Sequence, residues 1–465
     1  MMLANITQAV PVVPLQLDGT GLGIIGYLVI TLILVLIIGK ITYVVPTLII
    51  VPVIGALVAG FAPEELGEFV SSGLGGIVEI TAMFAFAVWY FAIMRDKGLF
   101  DPLVRRVVHV VLDRPALLTF GTVVLAVATH LDGAGATTFL ITIPALLPLY
   151  MALDADTKIL AALTALSAGT MNLVPWGGVT VRAIGSVDAA TVGNVYNPLI
   201  PAQIVGFAAI FLIAYYFSRR IDTDLDLSES ERERLVTEAL AGDDPDIRTD
   251  GGTEIKTGLS WRWYFNVLVT VVIIALLMLD ITSPAIVFMT GLVIALVVNV
   301  RDYEEQKDIL EAHSTDVMTY VGILLAAGVL LGVLNESGMI TEMAGILVSI
   351  MPEWMGSYMA GLVGLIAMPA SLVFSPDAYY FGVLPVLAET AQAYGIPEVA
   401  VVRASLIGQM TVGFPLSPLT GATYLLIGLA DVDLGEHIKF TFLWAWAVSL
   451  VMLAVAVLTG AIPLF

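Results

Sequence analysis

The chain has no cysteine, which excludes disulfides and thiolate metal sites. It has only four histidines, too scattered to form a metal centre by themselves. No His-Glu-x-x-His, Gly-x-Ser-x-Gly or P-loop motif occurs, so a membrane-embedded enzyme is the weakest of the possible functions. Charge is also scarce. Asp, Glu, Lys and Arg make up 13% of the 465 residues, against about 25% in soluble domains. The 19 basic residues are outnumbered by 40 acidic ones, giving a net charge of −21, so a basic nucleic-acid footprint is absent. Such an acidic surface suits a salt-rich cytoplasm, where screening removes most of the self-repulsion. Met1 to Gly21 carries no Lys or Arg ahead of the first apolar run. It therefore lacks the basic region of a signal peptide and reads as a short extramembrane tail.

Apolar sequence is abundant. Hydrophobic residues form 59% of the chain, and the mean hydropathy is +0.97. Many apolar runs approach the roughly twenty residues that a bilayer crossing needs. A large soluble α/β core does not fit them; the expected fold class is an all-α polytopic membrane protein. Runs fall at 22–39, 44–61, 76–94, 158–174 and 198–217, then at 262–279, 284–300, 316–334, 398–414 and 440–460. Between the third and fourth run of each set lie two apolar arms around a polar tip. These are 116–150, with tip Asp132–Thr138, and 355–393, with tip Ser375–Tyr380. Residues 218–260 join the sets with twelve acidic and six basic residues, and read as a solvated cytoplasmic linker with a short helix at 228–241.

The two halves, 1–217 and 261–465, read as an internal repeat. Gly98 matches Gly338, Pro175 matches Pro415 and Thr180 matches Thr420 at an offset of 240, and Pro144 matches Pro385 at 241. Each half holds one broken helix, at 158–190 and 398–430. If each pair of arms is a re-entrant hairpin, each half crosses five times, and an odd number inverts the second half. With both termini outside, seventeen of the nineteen Lys and Arg residues lie in the cytoplasm, including the linker's. The positive-inside rule asks for this distribution. The exceptions, Arg182 and Arg403, lie within or beside broken helices. The expected location is the plasma membrane.

Polar, Gly-rich interruptions occur at Leu131–Thr138, Val174–Arg182, Phe374–Tyr380 and Phe414–Thr423. Hydrocarbon cannot satisfy broken backbone, so such stretches persist only against protein or a water-filled cavity. Paired breaks in corresponding positions of two halves point to a transporter's substrate site.

From about Thr42 to Leu458 the chain resembles the citrate–divalent-metal:proton symporter family (CitMHS) of the ion transporter superfamily. The resemblance rests on Gly98-Leu-Phe-Asp-Pro-Leu-Val104, Leu131-Asp-Gly-Ala-Gly-Ala-Thr-Thr-Phe139 and Asn172-Leu-Val-Pro-Trp-Gly-Gly178. It continues in Ser375-Pro-Asp-Ala-Tyr-Tyr-Phe-Gly-Val-Leu-Pro385 and Gly413-Phe-Pro-Leu-Ser-Pro-Leu-Thr-Gly-Ala-Thr-Tyr424. It implies uptake of citrate or a related tricarboxylate with a divalent cation, Mg²⁺ or Ca²⁺. It further implies H⁺ or Na⁺ coupling, no permanently bound cofactor and an elevator-type homodimer in the lipid bilayer. The Pro-Trp-Gly-Gly and Ser-Pro-Asp-Ala-Tyr-Tyr signatures favour this branch over a cation/proton antiporter or other anion transporter of the superfamily. The first tip departs from the family at Ala134, where a second acid is usual.

Free N–H groups at helix N-termini favour carboxylates, and freed carbonyls coordinate cations. Gly133, Gly135, Pro175, Gly177 and Gly178 interrupt the first half's helices. Thr137, Thr138, Thr180, Thr420 and Thr423 can donate to citrate carboxylates or cap freed backbone groups. Asn172 and Gln409 precede the two breaks, Ser375 and Ser417 add hydroxyls, and Trp176, Tyr379 and Tyr380 bring polar handles. Asp132 and Asp377 are the only acids at the tips. A carboxylate there reads as a proton or ion carrier or a ligand of the substrate-bound cation; for both, an N-cap on the second hairpin arm is the alternative, attractive for Asp377 because Pro376 precedes it. Arg182 can fork onto a substrate carboxylate, pair with an acid, or snorkel outward. Arg403 reads as structural, and His130 as packing. His109, His313 and His437 fall in segments expected in the cytoplasm and carry no strong signal. Residues 100–112 read as an amphipathic interfacial helix.

Overall fold

The structure is a computed structural model that describes residues 17–133, 135–221, 260–279 and 281–463, with positions 230, 234 and 235 between them. Apart from those three positions, the helix expected at 228–241 lies outside the described residues, as does Ala134. Every regular element described is helical. Eight helical segments have the length and hydropathy of a bilayer span among the described residues. They are Gly19–Ile38, Pro63–Asp96, Pro115–Asp132, Gly135–Ala152, Val192–Ser218, Trp261–Leu279, Val317–Glu336 and Leu434–Leu458.

Two long helices, Pro63–Asp96 and Ser314–Glu336, form the central pair. Pro63 at the first helical position and a Glu65 carboxylate accepting the Ala62 N–H at 2.7 Å start the first of them. It therefore begins thirteen residues before the apolar run at 76–94. Residues 63–75 were hidden from hydropathy by their Gly, Ser and Glu content. Those glycines have a use. A Cβ on Gly73 would collide with the Gly328 carbonyl and sit 2.6 Å from Gly332 Cα. The two backbones therefore meet without side chains, the small-residue packing that holds helices together where lipid offers no hydrophobic drive. Helices Trp261–Met278 and Pro284–Asn299 flank this pair and are tied by reciprocal amide bonds between Asn266 and Asn299, at 3.0 and 2.9 Å.

A second group surrounds the helix Thr157–Met171, in which Ile159 to Met171 are all buried. Its Ala, Ser, Thr and Gly content on every face reflects neighbours on every face. The paired arms Leu118–Thr129 and Gly135–Ala152 lie on one side, with Ile200–Ser218 and Leu434–Leu458 beyond. Helix 434–458 begins at the Asp433 cap, whose carboxylate accepts the Gly435 and Glu436 N–H groups at 2.8 and 3.2 Å. The helix thus starts six residues ahead of the apolar run at 440. His437, in the first turn of this helix, is buried, and its Nε2–H donates to the Pro415 carbonyl at 3.0 Å. The amphipathic helix expected near 100–112 is Asp101–Asp113.

Candidate functional site

The four interruptions converge on one cavity of about 870 Å³. Three helices begin on its wall: Gly135–Ala152, Gly178–Gly185 and Gly421–Ala430. Each first turn leaves N–H groups without intrahelical partners, and each N-terminus carries partial positive charge. A fourth element, Ala378–Val383, starts at Asp377 on the same wall.

Arg182, one turn into its helix, donates Nε–H to Asp377 Oδ1 at 2.6 Å and Nη1–H to the Gly178 carbonyl at 2.8 Å. Its guanidinium also faces the Tyr320 ring, 5.6 Å from the centroid. Arg182 and Asp377 are 8% and 9% exposed. Of the readings open for Arg182, pairing with an acid is the observed one. The N-cap alternative for Asp377 is corrected: its carboxylate caps nothing, and the Ala378 N–H donates to the Ser375 hydroxyl at 3.3 Å.

The first tip is fastened to the first break. The Trp176 indole N–H donates to the Leu131 carbonyl at 2.7 Å, and its ring stacks on Phe91 with centroids 5.6 Å apart. Gly133 has φ +70°, the left-handed region that glycine tolerates, and a Cβ there would stand 3.2 Å from Gly177 Cα. The second break reaches the same tip: a Cβ on Gly135 would overlap the Phe414 ring.

Ten of the expected site residues line the cavity: Asp132, Gly133, Gly135, Thr137, Asn172, Gly178, Arg182, Ser375, Asp377 and Thr420. The other ten stand behind it. Thr180 donates to the Leu173 carbonyl at 3.1 Å, and Thr423 to the Phe414 carbonyl at 3.2 Å. Thr420 bonds the same Phe414 carbonyl at 3.2 Å, so at both breaks threonines satisfy carbonyls that the interrupted helix freed. Thr138 bonds His130 Nδ1 at 2.7 Å. Tyr379 meets Ser405 at 2.9 Å, and Tyr380 donates to the Gln409 carbonyl at 2.6 Å, pinning the second tip to the second broken helix. Ser417 accepts the Leu419 N–H at 3.2 Å. Pro175, Trp176 and Gly177 form the buried turn between Met171 and Gly178. Asn172 reaches across to the other break, donating Nδ2–H to the Met410 carbonyl at 2.9 Å.

Four lining residues carried no site signal in the sequence. Arg95 donates Nη1–H to the Thr137 hydroxyl at 2.8 Å. Lys40, Tyr320 and His313 also line the cavity, and His313 Nε2 lies 2.7 Å from Asp96 Oδ2. His313 thus stands on the cavity wall although the sequence showed no strong signal there. Arg95 was counted only as a cytoplasmic charge, because nothing in spacing connects residue 95 to a tip forty residues later. Ser371 was also missed: its hydroxyl donates to Gln409 Oε1 at 3.0 Å and accepts the Met410 N–H at 2.9 Å. Arg403 is structural as expected, donating Nε–H to the Asn194 carbonyl at 2.8 Å and Nη1–H to the Ala461 carbonyl at 2.6 Å.

Among the described residues, no group of three or more His, Asp or Glu side chains is placed to hold a metal ion. Asp132 and Asp377 alone do not make a coordination shell of the six to eight oxygens typical of calcium.

Known proteins resemble this chain in sequence and in helical arrangement. A citrate transporter from Bacillus subtilis (strain 168) is 37% identical over 441 residues, covering 95% of this chain and 99% of that protein. A Mg(2+)/citrate complex secondary transporter from the same organism is 37% identical over 449 residues, with the same coverage. The crystal structure of the Alcanivorax borkumensis YdaH transporter superposes with a TM-score of 0.56 at 16% identity, covering 86% of this chain and 90% of that one. The profile of the citrate transporter family matches residues 32–408. The chain therefore belongs to the CitMHS citrate transporter family, and is a multi-pass membrane transporter rather than an enzyme.

Proposed function

We propose that this protein imports citrate as a complex with a divalent cation, driven by a proton or sodium gradient. One observation carries the reading: three helix N-termini and Arg182 face a single cavity. Peptide N–H groups at helix starts bind carboxylates, and a tricarboxylate has three to offer. Lys40, Arg95 and Arg182 against Asp132 and Asp377 leave the cavity lining one positive charge in excess, counting His313 as neutral. Citrate with one divalent cation bears one negative charge, so the complex matches the lining better than the free trianion. The relative named as a Mg(2+)/citrate complex transporter supports the same choice. A cation/proton antiporter is disfavoured because N-termini repel cations.

The proposal includes the topology. Apart from an added helix at Tyr303–Ala312, the helices from 261 to 458 follow the order of those from 19 to 218: two spans, a long span, an amphipathic or short helix, paired arms, a broken helix and a last span. Arm Met359–Ala370 has 12 residues, about 18 Å at 1.5 Å per residue, short of the ~30 Å hydrocarbon core. That length supports a re-entrant hairpin in the second half; for the first-half arms, which are long enough to span, the same reading rests on the matching order and the Lys and Arg distribution. Inverted repeats 1–217 and 261–465 then follow, with both termini outside and linker 218–260 in the cytoplasm. The cavity mouth, marked by Lys40 and Arg95, opens inward. The arms, broken helices and final spans move as an elevator against the 63–96 and 314–336 pair, within a homodimer.

The test is uptake of labelled citrate into proteoliposomes across Mg²⁺, Ca²⁺, Na⁺ and pH. Accumulation that requires both a divalent cation and an ion gradient is expected. Accumulation indifferent to divalent metal would exclude the metal–citrate form, and indifference to both H⁺ and Na⁺ gradients would exclude coupled import.

A further inference from the structure

We propose that Arg182 and Asp377 are an exchangeable ion pair that makes the accompanying cation obligatory. A substrate carboxylate takes the place of Asp377 on Arg182, and the released Asp377 carboxylate turns to the substrate's cation. The inference deepens the metal–citrate reading and rests on it.

The pair is built for exchange. Its two members come from different elements, 195 residues apart, and meet on the cavity wall through a single Nε–Oδ1 contact. Of the five guanidinium N–H groups, one goes to Asp377 and one to the Gly178 carbonyl of its own helix. A fork that could hold a carboxylate with two parallel bonds thus holds Asp377 with one. An incoming carboxylate offering the two-bond geometry on the remaining N–H groups replaces like with like, so Arg182 keeps a charge-assisted partner throughout. Asp377 does not, unless the substrate supplies a positive charge. With a metal–tricarboxylate complex, both members end paired: Arg182 with a carboxylate, Asp377 with the cation. With the bare tricarboxylate, Asp377 is left buried and unpaired beside further negative charge, which is the costly outcome of breaking a buried pair. The pair therefore discriminates by penalising the wrong ligand, and the discrimination resides in Asp377 rather than in any metal cage.

This separates the roles of the two residues. Arg182 sets carboxylate affinity for either form. Asp377 sets the preference for the complexed form, so neutralising it admits the bare anion.

The experiment uses the full chain in proteoliposomes, comparing labelled citrate uptake with Mg²⁺ and with a chelator for wild type, Asp377→Asn and Arg182→Lys. Wild-type uptake that ignores Mg²⁺ would refute the parent reading before any variant is compared. Given Mg²⁺-dependent wild type, Asp377→Asn is expected to raise the ratio of metal-free to Mg²⁺-supported uptake by about tenfold or more, the scale of a charged hydrogen bond. Arg182→Lys is expected to weaken both forms alike. Thermal shifts in detergent with Mg²⁺–citrate and with chelated citrate provide the same comparison without transport. An Asp377→Asn protein that keeps the wild-type metal requirement, or that loses both forms in proportion, makes the pair a fixed structural bridge and overturns the proposal. Should that variant not fold, Asp377→Glu carries the test. A longer carboxylate facing the cation is expected to change the Mg²⁺ to Ca²⁺ uptake ratio, and an unchanged ratio is equally fatal.

Discussion

The Trp176 indole and the Leu131 carbonyl, 2.7 Å apart, join the first helix break to the first tip. The break and the tip are therefore one mechanical unit, with the ring wedged against Phe91 and set edge-on to Phe288 at 5.7 Å. Trp176→Phe preserves most of the ring packing and leaves the Leu131 carbonyl without that donor. A loss of about 1–3 kcal/mol is expected for an unsatisfied buried acceptor, read as a lower melting temperature in detergent. A melting temperature equal to wild type would mean that water replaces the indole.

Asp132 lines the cavity and is largely buried. If it carries the coupling ion, Asp132→Asn should abolish gradient-driven accumulation while leaving citrate counterflow measurable. Normal accumulation by this variant assigns Asp132 to holding the tip.

Arg95 binds Thr137 on the first tip from the end of the 63–96 helix. Arg95→Gln removes a positive charge from the cavity mouth and weakens that tie. The apparent KM for citrate should rise about tenfold, on the scale of a lost charged hydrogen bond, and become less sensitive to ionic strength. An unchanged KM would show that Arg95 neither attracts nor orients substrate.

The Gly73–Gly332 crossing predicts a contrast between a glycine at the contact and glycines away from it. Gly332→Leu must push its Cβ into the Phe69 carbonyl and Gly73, backbone that cannot move aside cheaply. Overpacking of this kind costs about 1–3 kcal/mol or more. Gly75 and Gly76 face open space, so alanine at either should leave stability unchanged or slightly raised. Equal melting temperatures for Gly332→Leu and Gly76→Ala would contradict the close crossing.

The helices were legible because twenty-residue apolar runs leave few alternatives, and the breaks because Gly and Pro interrupt those runs. What escaped was anything carried by a polar residue at a helix end. The 63–75 turns were hidden by Gly, Ser and Glu, and the start of the last helix by an Asp433 cap ahead of its apolar run. Arg182 was seen as needing a partner, yet no period or offset singles out Asp377 among the acids. The threonines were ambiguous for a chemical reason: a hydroxyl that can greet a carboxylate can equally satisfy a freed carbonyl, and at Thr180 and Thr423 it does the latter.

Arg182 has no counterpart in the second half. The position 240 residues on is Ala422, which lines the same cavity with a methyl group. The proposed repeat is thus unequal in chemistry, and the two sides of the chamber differ in charge. Citrate has two identical carboxymethyl arms on a prochiral centre. A wall with its guanidinium on one side only holds those arms in different surroundings, so the bound molecule has one preferred facing. Chiral tricarboxylates of the same size should then compete unequally, one enantiomer displacing citrate better than its mirror image. Equal competition by both would mean that the cargo tumbles freely between the four breaks.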